Sequence, residues 1–332
     1  LSGLAQGHVD VPKVRDQERP FVGPGWTRGA SDGDAGFPAE GVTLMAWLPI
    51  SDFGSFSGAS DCWGYTSPSG REYAIIGLSA ATGFVEITDP GNPEIVAVMP
   101  NASSTWYDIK VFQQFAYCVT ENSTSGVQVF DLSDIDNGNV YLSNTFMTGG
   151  TGSTHNVAID TVKGHLYRTG GEENGLRIYD LTVDPLDPPL VGTWSQRYVH
   201  DAQVVTYDSG PYAGRTIAYC CAGANGGWVD TGLTVLDVTD PGSIPIPLQM
   251  ISYPFAAYSH QIWLSEDRNY AYLNDEADED GTYPTTTYIF DVSNPADAQP
   301  VGSFTNGNTA IGHNLYVRDN LIFEGNYRSG LR

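Results

Sequence analysis

The chain has 332 residues, with 39 acidic and 15 basic side chains that give a net charge of −24 at pH 7. An electrostatic field of that sign excludes nucleic acid and anionic membrane surfaces as favourable partners, because phosphate binding needs the opposite charge. The 38 glycines, 20 prolines and only 16% charged residues favour many short strands joined by tight turns. No apolar run approaches the roughly 18 residues that a membrane-spanning segment needs.

The first part of the chain differs from the rest. Residues 1–41 are rich in Gly, Pro and Asp and show no periodicity, so we expect an extended N-terminal arm or a loop-rich segment. Residues 42–49 (VTLMAWLP) have the pattern of the last strand of a repeat that lies elsewhere. We expect this strand to complete the C-terminal repeat, which would close a ring and remove its open edges.

One motif recurs five times after residue 80. It consists of a run of β-formers, an acidic residue, an aliphatic residue, Thr or Ser, and usually an Asp or Asn turn with Pro. Apolar residues alternate with period two, which predicts a strand, and the Asp, Ser and Pro residues predict a chain reversal. The copies occupy residues 84–90, 127–134, 176–185, 233–241 and 288–295.

A second element recurs between these copies and places six polar residues in one column. The column has intervals of 45 to 60 residues and consists of Asp61, Asp108, His155, His200, His260 and His313. Each period has room for four short strands, which is the size of one propeller blade. We therefore predict an all-β fold over residues 42–332, a β-propeller of four-stranded blades. Six repeats are visible, and the last is incomplete because the sequence stops inside it.

These elements resemble the choice-of-anchor B family of LVIVD-repeat proteins, over about residues 42–332. The resemblance implies an exported propeller that variable C-terminal anchors carry to the cell surface, with no settled activity. It also implies one more repeat beyond Arg332, and so seven blades in the full protein. The matching segments are SDCWGYTSPSGREYAIIGLS from Ser60, YDIKVF from Tyr107, HNVAID from His155, HDAQVVTY from His200, SHQIWLSED from Ser259 and IGHNLYV from Ile311.

The column residues stand at the start of the innermost strand of each blade, which places them near the mouth of the central channel. Imidazole is a common ligand of Zn, Cu and Fe, so His155, His200, His260 and His313 predict a transition-metal site there. Asp61 and Asp108 would complete the ring of ligands. The alternative is structural, because repeated His and Asp side chains also serve as hydrogen-bond partners between neighbouring blades.

Two blades carry longer loops on the same face. The loop at residues 222–232 contains Trp228 and Asp230, which we predict to face a ligand. The alternative for Trp228 is packing on its own blade. The loop at residues 274–281 is dense in carboxylates, which a calcium ion with six to eight oxygen ligands would stabilise. It lacks the spacing of an EF-hand, so a solvated loop without calcium is the alternative. The carboxylates that could serve are Asp275, Glu276, Asp278 and Asp280.

The sequence leaves two functions open. It has no nucleophile elbow, HExxH helix, P-loop or dinucleotide fingerprint, so any catalysis would have to come from the channel. The first hypothesis is an extracellular or cell-surface scaffold that binds a protein or polysaccharide, with a metal ion in or near the channel. The other is a metal-dependent oxidoreductase or hydrolase that uses the four histidines. Cys62, Cys118, Cys220 and Cys221 match no zinc motif, and we interpret them as buried thiols or one disulfide.

Overall fold

The computed structural model describes residues 26–27, 41–225, 230–243, 247–277 and 284–332. Its strands form six antiparallel sheets arranged as the blades of a β-propeller, which confirms the predicted fold. Blades 1 to 5 have four strands, and blade 6 has three among the described residues. The seventh repeat that the resemblance implies stays a prediction. No helix in the described ranges is long and apolar enough to cross a membrane.

In each blade, chain order and spatial order agree, so each strand pairs with the next one along the chain. Blade 1 consists of β3 (Ala59–Thr66), β4 (Glu72–Leu78), β5 (Ala81–Glu86) and β6 (Glu94–Pro100), and blade 2 of β7 (Tyr107–Phe112), β8 (Phe115–Thr120), β9 (Val127–Asp131) and β10 (Tyr141–Phe146). Blade 3 consists of β11 (Asn156–Asp160), β12 (His165–Thr169), β13 (Leu176–Asp180) and β14 (Leu190–Trp194). Blade 4 consists of β15 (Asp201–Thr206), β16 (Thr216–Ala222), β17 (Gly232–Asp237) and β18 (Gln249–Ile251). Blade 5 consists of β19 (Ser259–Leu264), β20 (Tyr270–Asp275), β21 (Thr286–Asp291) and β22 (Gln299–Thr305), and blade 6 of β23 (Asn314–Arg318), β24 (Leu321–Asn326) and β25 (Gly330–Leu331).

The recurring acidic motif closes the third strand of the blades. In blades 2 to 5 an Asp side chain at the end of this strand accepts a hydrogen bond from the backbone N–H two residues later, at 2.8 to 3.0 Å. This side-chain turn satisfies a backbone donor where the chain leaves the sheet. The four residues are Asp131, Asp180, Asp237 and Asp291.

The core lies between the blades, because each sheet buries both of its faces. In β13, Ile178 packs with Val204 and Ala218 of blade 4, whereas the next residue, Tyr179, packs with Val129 of blade 2. Alternate side chains of one strand therefore belong to the interfaces on either side. This explains why inner strands such as β8 and β16 are buried at every position and largely apolar.

The first strand of each blade lies against the first strand of the next, from β3 to β7, β11, β15, β19 and β23. These six strands surround the central channel. Blades 6 and 1 meet through aromatic rings, since the ring of Trp63 lies 5.9 Å from that of Tyr316 and 6.3 Å from that of Trp263. The ring of blades is thus closed at the channel by side chains.

The N-terminal part of the propeller differs from our expectation. The segment at residues 42–49 does not complete blade 6 in the described structure: its strand β2 (Ala46–Trp47) pairs with β1 (Trp26–Thr27). The chain then enters a short helix, α1 (Ile50–Phe53). The Phe53 ring packs on Gly83 of β5, where a Cβ atom would come within 2.9 Å of it. Contact with blade 1 therefore draws the segment away from blade 6. The rest of the predicted N-terminal arm lies outside the described residues.

All four cysteines are free thiols, and Cys118, Cys220 and Cys221 are buried. The predicted disulfide alternative is therefore wrong.

Candidate metal centre

The four column histidines lie together at the channel mouth. Each stands next to or within the start of the first strand of its blade, so blades 3 to 6 bring the rings side by side. Successive ring centroids lie 4.1 Å apart from His155 to His200, 4.2 Å from His200 to His260 and 4.2 Å from His260 to His313. The first three are buried, and His313 is partly exposed. The prediction that the repeat gathers these residues is confirmed.

Trp106 completes the circle of rings. Its indole ring lies 6.1 Å from the His155 ring and 6.3 Å from the His313 ring, and it is stacked on His313 with an angle of 26° between the planes. The residue directly precedes β7, two positions before Asp108 of the column. Sequence reasoning missed it, because no other blade repeats a tryptophan there.

Hydrogen bonds to backbone carbonyls fix the orientation of two histidines. His200 donates from Nδ1 to the carbonyl oxygen of His260 at 3.0 Å, and His260 donates from Nδ1 to that of His313 at 3.2 Å. A carbonyl oxygen only accepts hydrogen bonds, so Nδ1 carries the proton in both rings. In a neutral imidazole the lone pair is then on Nε2, which is the arrangement of a metal-binding histidine.

His155 is oriented by a carboxylate. Its Nδ1 atom lies 2.7 Å from Oε1 of Glu121, which follows β8. Burial is the largest influence on the pKa of His155 and lowers it, but the hydrogen bond and charge of Glu121, together with Glu276 and Asp201, outweigh burial and raise the pKa. A carboxylate behind the imidazole increases its basicity and so its strength as a ligand. Nothing in the spacing of Glu121 indicates this contact.

Two overlapping groups of side chains have the geometry to hold a metal ion. One ring nitrogen from each of His155, His200 and His260 lies within 4.8 Å of the other two. The second group, formed by His260, Glu276 and His313, meets the same limit. Glu276 Oε2 lies 3.5 Å from His260 Nε2, and the Tyr327 hydroxyl donates to Glu276 Oε1 at 2.8 Å. His260 thus belongs to both groups.

The two column aspartates, unlike the histidines, are hydrogen-bond acceptors between neighbouring blades and, in the described part of the chain, do not join a group of metal ligands. Asp108 accepts hydrogen bonds from the backbone N–H of Val157 in blade 3 at 2.6 Å and from the Lys110 ammonium at 2.6 Å. Asp61 accepts from the backbone N–H of Ile109 in blade 2 at 2.9 Å. Each aspartate therefore bonds to the inner strand of the following blade, as the structural alternative predicted. Among the described residues, neither belongs to a group with metal-ligand geometry.

The geometry is compatible with both predicted roles of the column. His200 and His260 bond to the next blade through Nδ1, as the two aspartates do through oxygen, whereas Nδ1 of His155 contacts Glu121 of blade 2. An imidazole has a second nitrogen, however, and a column histidine can bond to its neighbour through one nitrogen while the other remains a ligand atom.

The first two carboxylates of the acidic loop of blade 5 lie in different environments. Asp275 is buried and accepts hydrogen bonds from the Tyr253 hydroxyl at 2.7 Å and from the backbone N–H groups of Ala257 at 2.7 Å and Tyr258 at 2.8 Å. Glu276, the next residue, faces the histidines. Asp278 and Asp280, the other predicted calcium ligands, lie outside the described residues.

The predicted ligand-face residues of blade 4 are described only in part. Asp230 is exposed, and its Oδ2 lies 3.1 Å from the guanidinium of the buried Arg197. Trp228 lies outside the described residues.

No protein-family model matches the chain, and neither does any curated protein. Solved structures match it as a fold. A periplasmic gluconolactonase from Pseudomonas aeruginosa has a TM-score of 0.59 and 11% identity, over 80% of this chain and 78% of that one. A hypothetical selenium-binding protein from Sulfolobus tokodaii has a TM-score of 0.57 and 10% identity, over 77% and 68%. A putative 6-phosphogluconolactonase from Bacteroides uniformis has a TM-score of 0.54 and 15% identity, over 81% and 82%. At these identities the likeness establishes a β-propeller fold and leaves the activity open.

Proposed function

We propose that this chain is an exported β-propeller of the choice-of-anchor B type that binds a transition-metal ion at the mouth of its channel. In this proposal it acts as a scaffold that presents the metal-bearing face to a protein or polysaccharide at the cell surface. The observation that carries the proposal is the orientation of His155, His200 and His260. All three engage Nδ1 with an oxygen atom, and an imidazole that carries its proton on Nδ1 has its lone pair on Nε2.

The donor set supports a transition metal over calcium. Three imidazole nitrogens suit Zn, Cu or Fe, whereas Ca²⁺ takes oxygen ligands almost exclusively. Glu276 is the candidate for a fourth ligand, because its carboxylate lies beside His260 and His313 and is held by Tyr327. The ligand atoms of the first three residues all lie within 4.8 Å of one another, a limit that includes the roughly 3.4 Å that Zn–N bonds of about 2.1 Å imply for a tetrahedral site.

Elemental analysis after exhaustive dialysis tests this proposal. We expect close to one Zn, Cu or Fe ion per wild-type chain and a loss of at least tenfold in occupancy in His200→Ala. His165→Ala is the matched control, because His165 lies on β12 and outside the column, and it should keep the metal. Circular dichroism confirms that each variant is folded. A folded wild-type chain that takes up none of these ions when titrated with them would refute the proposal.

A metal-dependent hydrolase is the second candidate. It is favoured by the outer end of the site, where the His313 side chain is 23% exposed beside a carboxylate, so that water and a small substrate could reach it. A bound Zn²⁺ lowers the pKa of water to about 7, and a neighbouring carboxylate can accept the proton. Two fold neighbours are named as lactonases, so sugar lactones are the first substrates to assay. Hydrolysis that requires the metal and is lost in Glu276→Gln would favour this candidate over the scaffold.

A further inference from the structure

Two arginines are buried side by side between blades 2 and 3. Arg168 on β12 and Arg177 on β13 are cross-strand partners, with exposures of 0% and 3%. Buried guanidinium groups are expensive to desolvate, and this chain has only 15 basic residues. Their position therefore needs a source of stabilisation.

Each nitrogen of the Arg168 guanidinium donates a hydrogen bond to a neighbouring residue. Its Nε donates to the Thr154 hydroxyl at 2.8 Å, one terminal nitrogen donates to the Tyr179 hydroxyl at 3.1 Å, and the other to the carbonyl oxygen of Thr151 at 2.6 Å. This arginine holds the loop between blades 2 and 3 in place, and its donors are in use.

The Arg177 guanidinium does not have such hydrogen bonds in the described structure. Its Nε and both of its terminal nitrogens are buried, and none of the three has a hydrogen-bond partner among the described residues. The nearest negative charge is Glu173, whose Oε2 lies 3.6 Å away, beyond hydrogen-bond distance, on a side chain that is 37% exposed. Burial and the charge of Arg168 lower the pKa of Arg177 to about 10. Tyr179 and Glu173 act in the opposite direction and favour the charged guanidinium. A further acceptor for its N–H donors would therefore stabilise it.

Two residues that directly follow neighbours of Arg177 in the sequence also have a buried polar atom without a hydrogen-bond partner in the described structure. They are Thr151, which follows Gly150 in the loop between β10 and β11, and Asn174, which follows Glu173 in the loop between β12 and β13. The atoms concerned are the Thr151 hydroxyl and the Asn174 Oδ1 atom.

An exposed glycine covers this place. A Cβ atom on Gly150 would lie 3.4 Å from Cδ of Arg177 and 3.3 Å from Oε1 of Glu173. Gly150 itself is exposed, so an exposed backbone without a side chain lies directly beside the Arg177 side chain. Movement of the half-exposed Glu173 would open the remaining path.

We propose that Arg177 forms the centre of a binding site for a small oxyanion, a carboxylate, phosphate or sulfate group, which takes the place of Glu173. The planar guanidinium matches such groups through paired N–H donors. The net charge of −24 repels polyanions, so the ligand is small. This proposal does not rest on the metal site.

Calorimetric titration with sodium sulfate, phosphate and acetate, at constant ionic strength set by sodium chloride, tests the site. We expect saturable binding to the wild type. Glu173→Gln should bind at least threefold more tightly, because the competing carboxylate is gone. Arg177→Met should lose saturable binding, and Gly150→Val should weaken it at least fivefold by closing the approach. The matched control is Arg215→Met, which removes a 55% exposed arginine that is paired with Asp237.

The unfolding midpoint of each variant shows whether it is folded. Arg177→Met removes an unsatisfied buried charge, so it should be at least as stable as the wild type without ligand. Binding that is equal in the wild type and Arg177→Met would overturn the proposal. So would an Arg177-dependent preference for dextran sulfate over sulfate, since that outcome identifies a polyanion surface.

Discussion

Lys110 lies among three carboxylates in the channel, of which Asp108 is buried and Asp61 and Asp201 are half-buried. Its ammonium lies 2.6 Å from Asp108 and 4.5 Å from the centre of the Trp63 ring, and the charges of Asp61 and Asp201 also act on it. Burial and the charge of Asp108 raise the pKa of Asp201 to about 7, against the opposing effects of Lys110 and His155. The ammonium therefore compensates part of the charge of three carboxylates.

We predict that Lys110→Met destabilises the fold by about 3–5 kcal/mol at pH 8, because it leaves buried carboxylates without their counter-charge. The cost should be smaller at pH 5. Since the pKa of Asp201 in the folded chain lies above its ordinary value of 3.8, the folded state holds this proton more tightly, and stability falls as pH rises from about 4 to 7. Removal of the ammonium enlarges that fall.

Urea unfolding at the two pH values measures the difference. Lys163→Met is the control, because Lys163 is exposed on the turn between β11 and β12. A cost for Lys110→Met that is the same at pH 5 and pH 8 would contradict the predicted origin.

The sequence predicted the site residues that recur in successive blades, and it missed those that occur in a single blade. The histidines could be found because four blades place them at the same strand position, and a propeller brings equivalent positions together. Glu121, Lys110 and Trp106 reach the same region from single blades, by the path of one loop or the length of one side chain. A residue type that occurs at its position in one blade only does not indicate from the sequence that it lies near the histidines.

Two strands offer a matched comparison of how closely neighbouring blades approach. Gly192 in β14 and Gly302 in β22 both follow a valine in the last strand of their blades. A Cβ atom on Gly192 would lie 2.0 Å from the carbonyl oxygen of Pro241 in blade 4, whereas one on Gly302 would meet nothing within 4 Å. The same local sequence thus lies in a tight interface in one blade and faces open space in the other.

We predict that Gly192→Ala lowers the free energy of unfolding by at least about 2 kcal/mol, because β14 has to move away from the backbone of blade 4. Gly302→Ala should stay within about 0.5 kcal/mol of the wild type, as most surface substitutions do. Chemical unfolding of both variants checks the pair. Equal effects would show that the outcome depends on the strand propensity of Ala and not on the distance between blades.

The strands themselves could be predicted well, because the aspartates that end the third strand recur with their apolar alternation. The exception is the segment at residues 42–49. Its apolar pattern is that of a strand, but the pattern does not identify the partner. Contact of Phe53 with Gly83 holds the chain near blade 1, and β2 pairs with β1 instead of completing blade 6.

For the whole molecule, the large negative charge acts against a closed ring. The chain has 39 acidic and 15 basic side chains, and the repulsion among the acidic ones of the blades grows as the chain folds. Dissolved salt reduces this repulsion, since the Debye length falls from about 10 Å at 0.1 M to about 3 Å at 1 M.

We therefore predict that the midpoint of thermal unfolding at pH 8 rises by several degrees between about 0.1 M and 1 M sodium chloride, the range over which screening of surface charges becomes nearly complete. The same increase in salt near the isoelectric point of about 4.2 should have little effect, because the net charge is then close to zero. Calcium chloride at matched ionic strength, with and without chelator, separates screening from binding at a site. A midpoint that falls with sodium chloride at pH 8 would mean that ion pairs, such as Arg215 with Asp237, contribute more to stability than the repulsion costs.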